Sequence, residues 1–146
     1  MLYLDDLHVG QRFISASHSV DGDQIKLFAA QYDPQPFHLD DGAAQSTLFG
    51  GLVASGWHTA AITMRLIVDA VPFAGGIVGA GGEITWPRPT RPLDVLVVES
   101  EVEAISPSRS RPERGIVTVR CTTRNQLGDI VQILVTKLVV PRRAER

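Results

Sequence analysis

The sequence predicts an α+β fold, an antiparallel sheet curled around one central helix, and three observations lead there. The second half alternates apolar and polar residues over long stretches, as in "PLDVLVVESEVEAI" and "GIVTVRCTT", the period-two pattern of half-buried strands. The middle holds one long apolar segment with helical spacing, "SGWHTAAITMRLIVDAV". The strands follow the helix instead of alternating with helices, which argues for α+β over α/β. At 146 residues the chain is expected to form one domain, 1–146, large enough to bury its own core.

Taken in order, "QRFISASHSV" carries β-type residues with some alternation and predicts a strand near residues 11–19. Asp21 or Asp23 can then cap a helix over "QIKLFAAQY". Pro34 disfavours helical geometry at Asp33, so that helix should stop there. Residues 33–52 predict an irregular segment with a short helix around "DDGAAQS". In the central helix Val53, Trp57, Ala60, Ala61, Met64, Ile67, Val68 and Val71 recur at three- and four-residue steps and define one face. Ile62, Leu66 and Ala70 lie off that stripe, so the helix should be largely buried. Arg65 and Asp69 stand four apart and can pair. "AGGIVGAGGE" predicts a flexible loop or a strand entrance, since the strand-loop-helix context of a dinucleotide site is missing.

In the strands, Leu96, Val98, Val102 and Ala104 should face in, and so should Val117, Val119 and Cys121. "NQLG" predicts a hairpin turn before the last strand, "DIVQILVTKLVV".

Composition narrows the function. A net charge of −2 with 21% charged residues gives no Lys/Arg excess for neutralising phosphates, which argues against nucleic acid as a partner. No apolar run reaches bilayer length, and "MLYLDDLHVGQRF" lacks the pattern of a signal peptide. The expectation is a soluble, cytoplasmic domain with no membrane partner. The single cysteine, Cys121, reads as a buried structural thiol. His8, His18, His38 and His58 show no metal-ligand spacing, so no metal is expected.

One stretch carries chemistry. "YDPQPFH" places Asp33 and His38 five residues apart with Pro34 and Pro36 between them. The prolines fix their own φ angles and predict a rigid, extended segment that brings the two side chains together. Phe28, Phe37 and Leu39 make the surroundings apolar, which tunes a carboxylate and an imidazole. An acid and an imidazole sharing one water are tools for proton transfer to or from carbon.

"YDPQPFHLDDGAA" followed by "FGGLVASGWHTAAI" resembles the MaoC-like dehydratases, hot-dog-fold relatives of (R)-specific enoyl-CoA hydratases. Their motif, Asp, any residue, Asn, Pro, an apolar residue, His, stands here as Asp33-Pro34-Gln35-Pro36-Phe37-His38. The likeness extends through "ITWPRPTRPLDVLVVESEV" and "RGIVTVRCTTRNQLGDIV", nearly the whole chain. Gln35 departs from the motif's Asn, and Ser55 stands where hydratases of this kind often carry His.

The resemblance implies a hydro-lyase of 2-enoyl-CoA and 3-hydroxyacyl-CoA thioesters that needs no cofactor. Asp33 and His38 would hold the catalytic water, with the order of proton transfers left open. The backbone N–H of Gly56 would bind the thioester oxygen, a placement suited to a helix N-terminus. Ser55 would supplement that donor or cap the helix, and Gln35 would act in substrate and water placement. The resemblance also implies a homodimer or dimer of dimers, with sheets joined side by side. Alternatives are a hot-dog thioesterase, whose acid on the central helix would have to be the badly placed Asp69, and a non-catalytic acyl-CoA-binding or partner subunit.

Overall fold

The computed structural model describes residues 1–145. After a 3-10 turn at Leu4–Asp6 come β1 (Arg12–Ile14), β2 (His18–Ser19), α1 (Gly22–Tyr32), α2 (Pro36–Leu39), α3 (Asp41–Gln45) and α4 (Gly56–Ala70). The strands β3 (Gly79–Thr85), β4 (Val95–Pro107), β5 (Arg114–Arg124) and β6 (Ile130–Pro141) complete the chain. The sheet runs β1-β4-β5-β6-β3, all antiparallel, with β2 also on β4. It curls around α4, which packs on β4 and β6. This is the hot-dog arrangement.

The strand predicted over 11–19 is broken in two. Ser15 interrupts it, donating its N–H to Val98 O and accepting the Val98 N–H on its own hydroxyl, so a side chain replaces one rung of the ladder. Asp21 caps α1, its carboxylate accepting from Gln24 N at 2.8 Å, a contact worth about 1 kcal/mol. The helix ends at Asp33, whose N–H still reaches Ala29 O. Residues 33–52 hold two short helices where the sequence suggested one. Pro36 does not extend the chain. It opens α2, where its fixed φ suits the first helical position and its missing N–H costs nothing.

The central helix corrects the expected face. Its buried residues are His58, Thr59, Ile62, Thr63, Leu66 and Ile67, whereas Trp57, Met64 and Val68 are 61%, 42% and 54% exposed. The helix is apolar nearly all round, and periodicity alone does not say which stripe the sheet covers. Thr59 and Thr63 can be buried because their hydroxyls pair with those of Thr90 and Thr123, at 2.9 and 2.7 Å. Arg65 and Asp69 pair on the solvent side, at 3.1 Å.

Inner-face alternation holds in β5, where Val117, Val119 and Cys121 are buried. Burial pushes the Cys121 thiol pKa up, opposed only by the Ser100 hydroxyl, as befits an inert core thiol. In β4 the alternation includes Ser100 and stops at Val102. A register shift between Val102 and Ala104 flips the phase, so Ala104 is exposed and Ile105 packs on the core instead. The glycine-rich segment becomes edge strand β3. A Cβ on Gly82 would collide with the Val135 carbonyl of the neighbouring strand, so glycine is what allows this close pairing. The "NQLG" turn forms as expected, with the Asn125 side chain accepting from Leu127 N and Asp129 N.

Between β3 and β4, Arg91 to Asp94 form a turn closed by Asp94 N to Arg91 O. Pro92 holds its second position. Leu93 takes the third at φ 74°, a left-handed conformation that glycine normally fills.

Candidate active site

The α1 terminus and α2 set the geometry of the acid–imidazole pair. Asp33 is held at the last turn of α1, and the single turn of α2 swings His38 back towards it. His38 Nε2 lies 3.2 Å from Asp33 Oδ2. His38 is 5% exposed, and its Nδ1 lies 2.7 Å from the Val53 carbonyl oxygen. A carbonyl oxygen only accepts, so Nδ1 carries a proton. In the neutral imidazole the Nε2 lone pair then faces the Asp33 carboxylate. At 3.2 Å the two atoms are within hydrogen-bond distance of each other, too close for a water to stand between them.

Asp33 is tuned by opposing effects. Burial pushes its carboxyl pKa up, but the Ser55 hydroxyl, the Gln35 amide and the His38 ring together outweigh burial and hold it below the usual carboxylate value. Gln35 is solvent-exposed and donates its amide to Asp33 Oδ1. The structure thus places it on the acid. Ser55 is fully buried and caps α4, accepting from Trp57 N at 3.2 Å.

Gly56 begins α4 and shares a cavity of roughly 510 Å³ with His38. The N–H groups of Trp57, His58 and Thr59 are taken by Ser55. The Gly56 N–H has no partner among the described residues, which leaves a free donor at the positive end of a fifteen-residue helix. The cavity wall is otherwise largely apolar, from Phe37, Phe49, Val53 and Trp86, with Arg88 and Arg91 cationic and Thr59 and Thr90 polar. A Cβ on Gly56 would come within 2.7–2.9 Å of three Trp86 ring atoms. Glycine therefore lets the indole lie flat on the helix start.

Sequence reasoning missed two contributors. The Val53 carbonyl orients the imidazole, a backbone role no residue type announces. Trp86 packs on Gly56 and donates Nε1–H to the fully buried Gln132 at 3.0 Å, a contact across 46 residues of sequence that no local pattern reveals.

The family model for the MaoC like domain matches residues 7–125. A crystal structure of a MaoC-like dehydratase from Rhodospirillum rubrum superimposes with a TM-score of 0.97 at 59% identity, covering 99% of this chain and 100% of that one. The uncharacterized protein YdeM of Bacillus subtilis is 38% identical over 126 residues, 84% of this chain and 87% of its own. A 3-hydroxybutyryl-CoA dehydratase of Methylorubrum extorquens is 28% identical over 146 residues, 99% of this chain and 88% of its own. The chain therefore belongs to the MaoC-like dehydratase family, with a hot-dog fold.

Proposed function

We propose that this protein is a hydro-lyase that reversibly adds water to 2-enoyl-CoA thioesters, giving 3-hydroxyacyl-CoA. The observation that carries the reading is the 3.2 Å approach of His38 Nε2 to Asp33 Oδ2, with His38 lining the same cavity as the Gly56 N–H, which has no partner among the described residues. In hydration the water oxygen attacks C3 while the Asp33–His38 pair takes its proton. The π pair of the C2=C3 bond forms the C1=C2 bond of an enolate and the carbonyl π pair moves onto the thioester oxygen, where the Gly56 N–H and the helix dipole stabilise the charge. The pair then returns one proton to C2, so no net proton is consumed. The carboxylate is ionised at neutral pH, its pKa being held below the usual carboxylate value, and it is its place beside His38 that suits it to take the proton.

A CoA carrier fits the cavity's charge. Arg88 and Arg91 line it beside His38; Arg88 also lies 3.6 Å from Asp129 and Arg91 donates to the Phe49 carbonyl, and guanidinium groups so placed suit phosphates. The dehydratase from Methylorubrum extorquens adds a thioester precedent. The direct test is crotonyl-CoA with the purified protein, read by loss of the conjugated thioester absorbance. No turnover with crotonyl-CoA or longer, branched or dicarboxylic enoyl-CoA esters would remove the reading.

The active unit in this reading is a homodimer. The exposed Trp57 and Met64 of α4 share a groove with residues of the edge strand β3, and Val68 lies exposed on the same helix. A second copy pairing there would cover it. Sedimentation of wild type and Met64→Glu checks this: a two-fold dimer is expected for the first and a weakened one for the second. A stable, active wild-type monomer would exclude it.

A further inference from the structure

Two cavities lie along α4. The first holds His38 and Gly56. The second, roughly 480 Å³, runs between Ala60 and Met64 of α4, Ile84 of β3 and Leu134 of β6, a mostly apolar groove that Glu83 and Thr136 also line. Trp86 lines the first and Trp57 the second, and the two rings meet edge to face at 5.5 Å and 82°. The indoles therefore stand between the cavities.

Trp86 is pinned from three sides. Its ring lies flat on Gly56, its edge meets Trp57, and its Nε1–H is held by Gln132 Oε1 at 3.0 Å. An indole N–H only donates, so Gln132 must turn its oxygen to the ring and its amide nitrogen away. That nitrogen is buried without a partner among the described residues. A carboxamide left half-satisfied is an uncommon core choice, and what it secures here is the position of one ring.

We infer that the Trp57–Trp86 pair is a partition that limits the acyl group to short chains. The inference rests on the proposed acyl-thioester reading. With the thioester oxygen on the Gly56 N–H and C2–C3 beside His38, carbons beyond C4 that follow α4 meet the Trp86 indole. Behind it lies the apolar groove that would otherwise receive them. In the proposed dimer this groove is roofed by the partner and screened from water.

The test compares wild type with Trp86→Ala, Trp86→Phe and Gln132→Leu. Calorimetry gives the affinities of butyryl-, octanoyl- and dodecanoyl-CoA, and kinetics give kcat and KM for the matching enoyl-CoA esters. Wild type should bind butyryl-CoA more tightly than dodecanoyl-CoA. Removing the ring should shift the long-to-short affinity ratio at least roughly tenfold towards long chains, the scale on which a pocket reads acyl size. The kinetic shift should appear in KM. Gln132→Leu, which keeps the indole but frees it, should shift the ratio less. If Trp86→Ala does not fold, Trp86→Phe decides, since it retains a ring but loses the anchor. Equal affinity of wild type for all three chains, or the same ratio in every folded variant, overturns the partition. Binding without hydration overturns the hydro-lyase reading and leaves the affinities to judge the partition. No binding at any length overturns both.

Discussion

Replacing Asp33 by Asn is the sharpest test of the acid–imidazole pair, because the change is nearly isosteric and its consequences can be worked out atom by atom. In the native site Oδ1 accepts from Gln35 and Oδ2 faces His38 Nε2 at 3.2 Å. His38 Nδ1–H is committed to Val53 O. An Asn amide oxygen still accepts from Gln35, and its NH₂ donates straight to the Nε2 lone pair. The pair becomes satisfied by itself, with neither a base nor a place for a shared proton. Hydrogen bonds to a charged group give way to neutral ones, so folding stability should fall by only about 1 kcal/mol. Loss of general base catalysis should cost ~10²–10⁴ in kcat, equivalent to about 3–5 kcal/mol of barrier. Turnover of the best enoyl-CoA substrate measures the rate, and a thermal melt confirms the fold. A folded Asp33→Asn enzyme with native turnover would refute the assignment of the base.

Other outcomes follow from single contacts. Gly56→Ala keeps the N–H but drives a Cβ into the Trp86 ring, so a loss of about 1–3 kcal/mol of stability is expected by thermal melt. Gly56→Pro also removes the donor and should cost a further ~10²–10³ in kcat; an unaffected rate would mean that the carbonyl binds elsewhere. Leu93→Gly relieves the left-handed turn at a residue 81% exposed. The strain of roughly 1–2 kcal/mol outweighs about 0.4–1 kcal/mol of added unfolded-chain entropy, so stability should rise by about 0.5–1 kcal/mol. A lower melting temperature would contradict this. His58 has a lowered pKa, first through burial and then through the charges of His18 and His38, and its Nδ1 is unpartnered among the described residues. Its neutral form is favoured in the fold, so its contribution is complete above the ordinary value of 6.5 and is lost as pH falls from there through the folded pKa. His58→Phe, which keeps the stack on Phe28, should flatten the fall in melting temperature between neutral and mildly acidic pH; an unchanged slope would count against His58.

The architecture was legible because its signals are local. Alternation in "GIVTVRCTT", the Asp21 cap and the Asn125 turn each depend on neighbours in sequence. The orientation of α4 was not, since Trp57, Met64 and Val68 are as apolar as Ile62 and Leu66. The choice between stripes is made by Thr90 and Thr123, which accommodate Thr59 and Thr63 from 31 and 60 residues away. The same division runs through the site. Asp33 and His38 are near in sequence, and the prolines mark their turn, although the turn is helical and not extended. The close fit of Gly56 is hidden in the same way: the ring a Cβ would meet belongs to Trp86, and nothing near Gly56 in sequence foretells that.

The connection from Val53 to Gly56 ties the parts of the site into one mechanical unit. Val53 orients the imidazole through its carbonyl, Ser55 steadies the carboxylate, and Gly56 presents the free N–H. The segment is itself fastened at both sides, by Val53 N to Phe37 O and Ala54 N to Thr90 O. Imidazole, acid and oxyanion donor are therefore all tied to this one four-residue segment. One inserted residue between Val53 and Gly56 would put the proton-handling groups out of step with the oxygen they serve, although every reacting side chain would still be present.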